Sequence, residues 1–134
     1  MHWPLWSRGK PQLPIDRKKL GSLGEQLAAK HLKKNGYRIV ERNFHCREGE
    51  IDIVARQKNT LVFVEVRTKT GLGYGTPEES VTRAKKQKMA AAAFRYLRTN
   101  GNPEADWRID MVAVQFDHTG KLTRIEIIEN AVGG

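Results

Sequence analysis

The sequence predicts a single α/β domain whose mixed central sheet is flanked by helices. Its 134 residues suit one domain with a modest core. Apolar residues recur at helical spacing in two stretches and cluster in five short runs rich in Val and Ile. The order is helix, three strands, helix, two strands. This order predicts three antiparallel strands followed by a helical connection to the rest of a mixed sheet.

The N-terminal segment, residues 1–16, is basic and proline-containing and is expected to be flexible, whereas residues 17–134 form the domain. The segment lacks the uninterrupted apolar stretch of a signal peptide. No apolar run in the chain approaches the roughly 18 residues of a membrane span. The single cysteine, Cys46, excludes an internal disulfide. We therefore expect a cytoplasmic protein with no membrane partner.

The first helix is predicted from about Arg17 to Asn35. Asn35-Gly36 is a typical stop signal because glycine accepts the left-handed conformation that ends many helices. The apolar face of this helix repeats every three or four residues and comprises Leu20, Leu23, Leu27, Ala28 and Leu32.

Three strands are predicted next, at Tyr37–Cys46, Glu50–Arg56 and Leu61–Arg67. The turn between the second and third strands is short, over residues 57–60. These two strands are therefore expected to form an antiparallel hairpin.

The second helix is predicted to begin near Thr76 and to end at about Leu97. Thr76 is the expected N-cap, Pro77 fits the first helical position, and Glu79 completes a capping box. The last two strands are predicted at WRIDMVAVQF and LTRIEIIE. The outer surface of the second helix is basic, through Arg83, Lys85, Lys86, Lys88, Arg95 and Arg98.

The net charge of +9, from 24 Lys and Arg against 15 acids, favours a polyanionic partner. Nucleic acids, acidic membranes and acidic proteins all meet that description. The alternative is a basic surface without a particular partner.

Carboxylates occupy unusual places in the predicted hairpin. Side chains alternate between the faces of a strand, so Glu50 and Asp52 are expected on the face opposite Ile51 and Ile53. A symmetric turn at residues 58–59 places Asp52 directly opposite Glu65. Two carboxylates about 5 Å apart repel by roughly 3 kcal/mol at an effective dielectric near 20. A cation, a proton or exposure to solvent must offset this repulsion.

A divalent cation offsets the repulsion best. Mg²⁺ takes oxygen ligands and usually binds through one or two carboxylates, together with water and substrate phosphate. The basic surface would attract such a phosphate-rich substrate. The alternative is that Glu65 forms an ion pair with Arg67 or Lys69.

In combination, these residues resemble the PD-(D/E)XK nuclease superfamily. More closely, the chain is similar to the YraN-like family of predicted endonucleases, which is related to Holliday-junction resolvases. The resemblance spans about Leu20 to Val132 and implies a restriction-endonuclease-like αβββαβ core. The matching segments are GSLGEQLAAKHL, GYRIVERNF, GEIDIVA, VFVEVR, RIDMVAV and ENAV.

The resemblance implies that Asp52 and Glu65 bind Mg²⁺ or Mn²⁺, with the carbonyl of Val66 as a further ligand. It implies that Glu25 reaches the same site, directly or through a water. The alternative for Glu25 is helix capping, because Ser22 stands three residues before it. Glu50 either supports the ligands or forms a salt bridge with Arg67.

Arg67 departs from the pattern, because many superfamily members carry lysine there. Arginine stays protonated and cannot act as a general base, although it can stabilise charge on a phosphate. Lys69, on the same face of the strand, is a candidate to replace the lysine. Gln87 is a further candidate by resemblance to the resolvases; its alternative is an exposed polar position.

The predicted function is a metal-dependent DNA endonuclease, with branched or junction DNA as the candidate substrate. Its predicted catalytic residues are Glu25, Asp52, Glu65 and Arg67. Because one site cuts one strand, cleavage of a duplex would favour a homodimer. Two alternatives are a non-catalytic nucleic-acid-binding protein that retains the fold and an adaptor that binds a protein through its basic helix. The candidate contacts to nucleic acid are Lys69, Arg83, Lys85, Lys86, Gln87 and Lys88.

Overall fold

The computed structural model describes residues 16–71, 75–100 and 106–131. Residues 1–15 of the N-terminal segment and residues 72–74, which precede the predicted second helix, lie outside these ranges. Within them, helices and strands follow the predicted order. The elements are α1 (Arg17–Lys34), β1 (Arg38–Cys46), β2 (Gly49–Gln57), β3 (Thr60–Thr70), a 3-10 turn (Glu78–Ser80), α2 (Arg83–Thr99), β4 (Trp107–Phe116) and β5 (Leu122–Ile128).

The five strands form one mixed sheet in the order β1-β2-β3-β4-β5. β1, β2 and β3 are antiparallel neighbours, β3 and β4 run parallel, and β5 returns antiparallel to β4. The parallel pair requires a crossover, which α2 provides. The predicted α/β class and the αβββαβ order are confirmed.

α1 begins where Asp16 caps it. The Asp16 carboxylate accepts hydrogen bonds from the backbone amides of Lys18 and Lys19, at 3.0 and 3.2 Å. The helix ends at Lys34, and Gly36 adopts a φ of +90°, which glycine tolerates best. The predicted stop signal is therefore confirmed.

The predicted start of the second helix is wrong. The capping box exists, since the Thr76 amide donates to Glu79 Oε1 at 2.7 Å and the Glu79 amide donates to Thr76 Oγ1 at 3.3 Å. It caps only the 3-10 turn, because Val81 returns to an extended conformation. A second cap, Thr82, then accepts from the Lys85 amide at 3.1 Å and begins α2.

Each face of the sheet is covered by one helix. α1 packs on a cluster that contains Ile53, Val62 and Val64, and α2 packs on a cluster that contains Val54 and Phe63. Both faces are therefore apolar, and each fully buried aliphatic or aromatic side chain contributes about 1.5–3 kcal/mol. In the described part of the chain, neither helix combines the length and apolar character needed to cross a bilayer.

Asp110 of β4 has a structural role on the face that α1 covers. It is fully buried and accepts hydrogen bonds from Tyr37 Oη at 2.8 Å, Arg108 Nε at 2.9 Å and the Asn130 amide at 2.9 Å. Burial and this contact raise the pKa of Tyr37 to about 12. The network ties the end of α1 and the chain beyond β5 to the middle of the sheet.

Candidate functional site

The site begins where β2 and β3 separate. Their antiparallel pairing runs in the predicted register from Gln57 and Thr60 to Ile53 and Val64, but it ends before the predicted pair of Asp52 with Glu65. Beyond that point the Val66 amide donates a 2.8 Å hydrogen bond to the carboxylate of Asp52. A side chain thus replaces a backbone acceptor, and this contact fixes the position of Asp52 between the two strands.

The side chains of β2 change the face of the sheet on which they lie at the same point. Ile53 and Ala55 belong to the cluster under α1, but Ile51 belongs to the cluster under α2. The prediction that Ile51 shares a face with Ile53 is therefore wrong. Regular alternation requires a regular strand, and β2 departs from it around Asp52, where its pairing with β3 ends.

Glu65 lies beside Asp52 and is 4% exposed. Burial, and then the negative charge of Asp52, raise the pKa of Glu65 to about 7. Burial also raises the pKa of Asp52, although the hydrogen bond from Val66 opposes that rise. Near neutral pH Glu65 is therefore partly protonated, and protonation is one of the ways to offset its repulsion with Asp52.

Two cations also approach Glu65. Arg67 Nη1 lies 3.5 Å and Lys85 Nζ 3.7 Å from Glu65 Oε2. The alternative pairing of Glu65 with Arg67 is therefore present in the structure. Arg67 is held in place by a 3.1 Å hydrogen bond from its Nε to Ser80 Oγ.

The sequence did not predict that Lys85 lies beside the carboxylates. Its position predicts a basic surface contact, but it lies in the first turn of α2, and that turn meets β3 at Glu65. The usable signal is Thr82, a second capping residue three positions earlier. A helix beginning there brings Lys85 within reach of the strand.

Glu25 belongs to the interior of α1. Because Asp16 caps this helix, the alternative that Ser22 and Glu25 form its capping box is wrong. Burial, and next the charge of Asp52, raise the pKa of Glu25. The neighbouring Gly24 packs so closely on β3 that a Cβ there would overlap Thr68 Oγ1. This close contact brings a third carboxylate toward the pair.

Glu50 does not form the alternative salt bridge with Arg67. Its Oε2 lies 3.3 Å from His45 Nδ1, on the neighbouring strand. Its negative charge nevertheless contributes to the raised pKa values of Asp52 and Glu25. Glu50 therefore stands at the margin of the carboxylate group.

The remaining basic residues surround this centre. Lys69 Nζ donates to the Gly75 carbonyl at 2.7 Å, at the end of β3. Lys69 lines two shallow depressions, of about 300 and 310 Å³. Gln87 is exposed. At 100° per residue it lies about 160° around the helix axis from Lys85, so it points to nearly the opposite side of α2. Arg83 and Lys88 are also exposed on α2, and Lys86 is partly so.

The donor set suits a hard cation that keeps most of its water. Within the described ranges, no three His, Cys, Asp or Glu side chains are arranged to enclose a metal ion. Buried Glu65 and half-buried Asp52 nevertheless form a carboxylate pair, and one or two carboxylates are the usual protein ligands of Mg²⁺. The residues present therefore fit Mg²⁺ or Mn²⁺ with water and a substrate phosphate as the other ligands.

The family model and the relatives that match this chain belong to the same protein family. Residues 24–114 match the uncharacterised protein family UPF0102. The chain is 46% identical to a UPF0102 protein of Pelotomaculum thermopropionicum, over 86% of this chain and 96% of that one. It is 47% identical to one of Dehalococcoides mccartyi, over 90% and 98%. These matches confirm the YraN-like resemblance, while membership of the nuclease superfamily stays a prediction.

The fold was also compared with solved structures. It is similar to SfsA of Pyrococcus furiosus, solved in complex with Ca²⁺, with a TM-score of 0.42 and 18% identity. The similarity covers 86% of this chain and 64% of the other.

Proposed function

We propose that this chain, which belongs to the uncharacterised protein family UPF0102, is a metal-dependent endonuclease that hydrolyses phosphodiester bonds in DNA. One observation carries the proposal: buried Glu65 and half-buried Asp52 form a carboxylate pair whose pKa values are both raised, with two cations beside Glu65. A buried like-charge pair is costly, and such pairs occur preferentially at functional sites. A divalent cation would neutralise the pair in place of that proton.

Three groups of the chain would hold the ion. Asp52 and Glu65 would supply carboxylate oxygens, and Val66 would supply its backbone carbonyl. Glu25 would assist, directly or through a water. When bound, Mg²⁺ or Mn²⁺ supplies a lowered pKa for water and neutralises charge on phosphate.

Arg67 and Lys85 would act on the substrate. The Arg67 guanidinium would donate to a non-bridging oxygen of the scissile phosphate and stabilise its growing charge. Lys85 approaches Glu65 from α2 and would orient the attacking water, the role that many superfamily members give to lysine on the strand. Because Arg67 and Lys85 each contact Glu65, both side chains lie close to the carboxylate pair.

The basic surface would hold the DNA. Arg83, Lys86 and Lys88 on α2, together with Lys69 on β3, would contact backbone phosphates without reading sequence. Such binding recognises shape, which is consistent with branched or junction DNA in cytoplasmic repair or recombination. Two copies of the chain would cut both strands, because each supplies one site.

A panel of branched, flapped, single-stranded and linear DNA, incubated with Mg²⁺ or Mn²⁺, tests the proposal. We expect cleavage of at least one substrate, loss of that cleavage in Glu65→Gln, and full cleavage in Glu41→Gln. Glu41 is an exposed residue of β1, so the two variants change the net charge equally. Cleavage that persists in Glu65→Gln would identify a contaminating nuclease.

A second candidate is a nucleic-acid-binding protein without turnover. The observation that favours it is Arg67, because its guanidinium cannot serve as the general base. DNA binding with no cleavage of any substrate in the panel would select this candidate. An adaptor that binds protein through α2 would instead fail to retain DNA even at low salt.

A further inference from the structure

A groove of about 370 Å³ separates α1 from the edge strand β5. Its floor is apolar, and its rim is cationic. The residues that line it are Leu27, Lys30, His31, Lys34, Leu122 and Ile125. None of them belongs to the carboxylate site.

The groove and the site lie on opposite sides of α1. At 100° per residue, Leu23, Leu27, Lys30 and Lys34 fall within about 60° of one another around the helix axis. Glu25 lies about 160° or more from Leu27 and Leu23 on the same axis. A ligand in the groove would therefore leave the carboxylate pair accessible, and substitutions in the two places are separable.

The floor exposes apolar surface that the fold does not cover. Leu122 is 37% exposed within the groove, and Leu23, one turn before Leu27 on the same stripe, is 40% exposed. Clustered exposed hydrophobic residues, unlike isolated ones, characterise binding sites. Full burial of a leucine contributes about 1.5–3 kcal/mol, so partial burial of two would stabilise a complex measurably.

The rim of the groove carries positive charge. Within the described ranges no ion pair joins Lys30, His31 or Lys34 to a carboxylate, whereas Arg95 pairs with Glu48 and other arginines are paired similarly. The dipole of α1 accounts for Lys34 in the last turn, because cations stabilise a helix C-terminus. Lys30 lies a full turn earlier, outside that effect.

We propose that this groove binds an acidic segment of a partner protein, through one or two large apolar side chains in the floor and carboxylates at the rim. A nucleic-acid backbone has no apolar group to fill the floor. A bilayer would require protruding apolar side chains, whereas these line a recess. An extended or helical peptide presents both features at once.

Fluorescence anisotropy with three labelled ten-residue peptides tests the proposal on the full chain. The first has six Asp and Glu with one Phe and two Leu, the second replaces the apolar residues by Ser, and the third replaces the acids by Asn and Gln. Only the first should bind. Lys30→Glu/Lys34→Glu and Leu122→Glu should each weaken its binding by about tenfold or more, as expected for lost rim pairs and a charged floor.

The control is Lys58→Glu/Arg98→Glu, which makes the same charge change at two exposed positions away from the groove. It should bind the first peptide within about twofold of the unmodified chain. Absence of binding by the first peptide, equal binding of the first two, or equal loss in the control would overturn the proposal. Displacement of the peptide by duplex DNA that also requires Lys30 and Lys34 would overturn it in favour of a nucleic-acid surface. Cleavage is not measured, so failure here leaves the nuclease proposal intact.

Discussion

Replacing Glu65 by Gln should stabilise the metal-free protein at alkaline pH. The pKa of Glu65 rises from its ordinary 4.5 to about 7 on folding. At 1.36 kcal/mol for each unit of pKa, this corresponds to roughly 3 kcal/mol. Because the folded chain binds this proton more tightly than the unfolded chain, stability falls as pH rises from about 4.5 to 7. Gln resembles the protonated acid and removes that loss.

Urea unfolding at pH 5 and pH 8 in the presence of EDTA measures the effect. The Gln variant should match the unmodified chain at pH 5 and exceed it by about 2–3 kcal/mol at pH 8. Glu41→Gln, on exposed β1, should show no comparable difference between the two pH values. A Gln variant that is less stable than the unmodified chain at pH 8 would refute the repulsion on which this reasoning depends.

Three further perturbations address the surroundings of the pair. Gly24→Ala should cost about 1–3 kcal/mol by overpacking, and Thr68→Ala should recover much of it in a double-mutant cycle of urea unfolding. Asp110→Asn should cost about 3–5 kcal/mol in the same assay, because it removes one partner of a buried ion pair; a loss below 1 kcal/mol would contradict the structural role of Asp110. Lys85→Gln should reduce cleavage at least tenfold while Mn²⁺ still stabilises the protein against heat; unchanged cleavage would exclude Lys85 from catalysis.

The register of the central hairpin was predictable because it depends on local rules. A symmetric two-residue turn pairs Val54 with Phe63, and the structure has this pairing. The face of the sheet on which Ile51 lies was not predictable, because it follows from the departure of β2 from regular alternation. That change arises where the Asp52 side chain replaces a backbone acceptor, and a periodic pattern carries no information about such a replacement.

The start of α2 shows a different limit. Two capping signals, at Thr76 and Thr82, stand six residues apart, and local propensity cannot decide which one begins the long helix. The extended conformation of Val81, which buries its side chain in the core, decides in favour of the second. The position of Lys85 follows from the start of α2 at Thr82 and from the packing of α2 on the sheet. From the sequence, Lys85 could be assigned only to the basic surface of the second helix.

A crystal grown with Mn²⁺ tests most directly whether residues 52 and 65 bind a divalent cation together. We expect an anomalous difference peak that lies within about 2.5 Å of a carboxylate oxygen of each residue. A peak only elsewhere in the chain, or no peak at saturating Mn²⁺, would contradict this expectation.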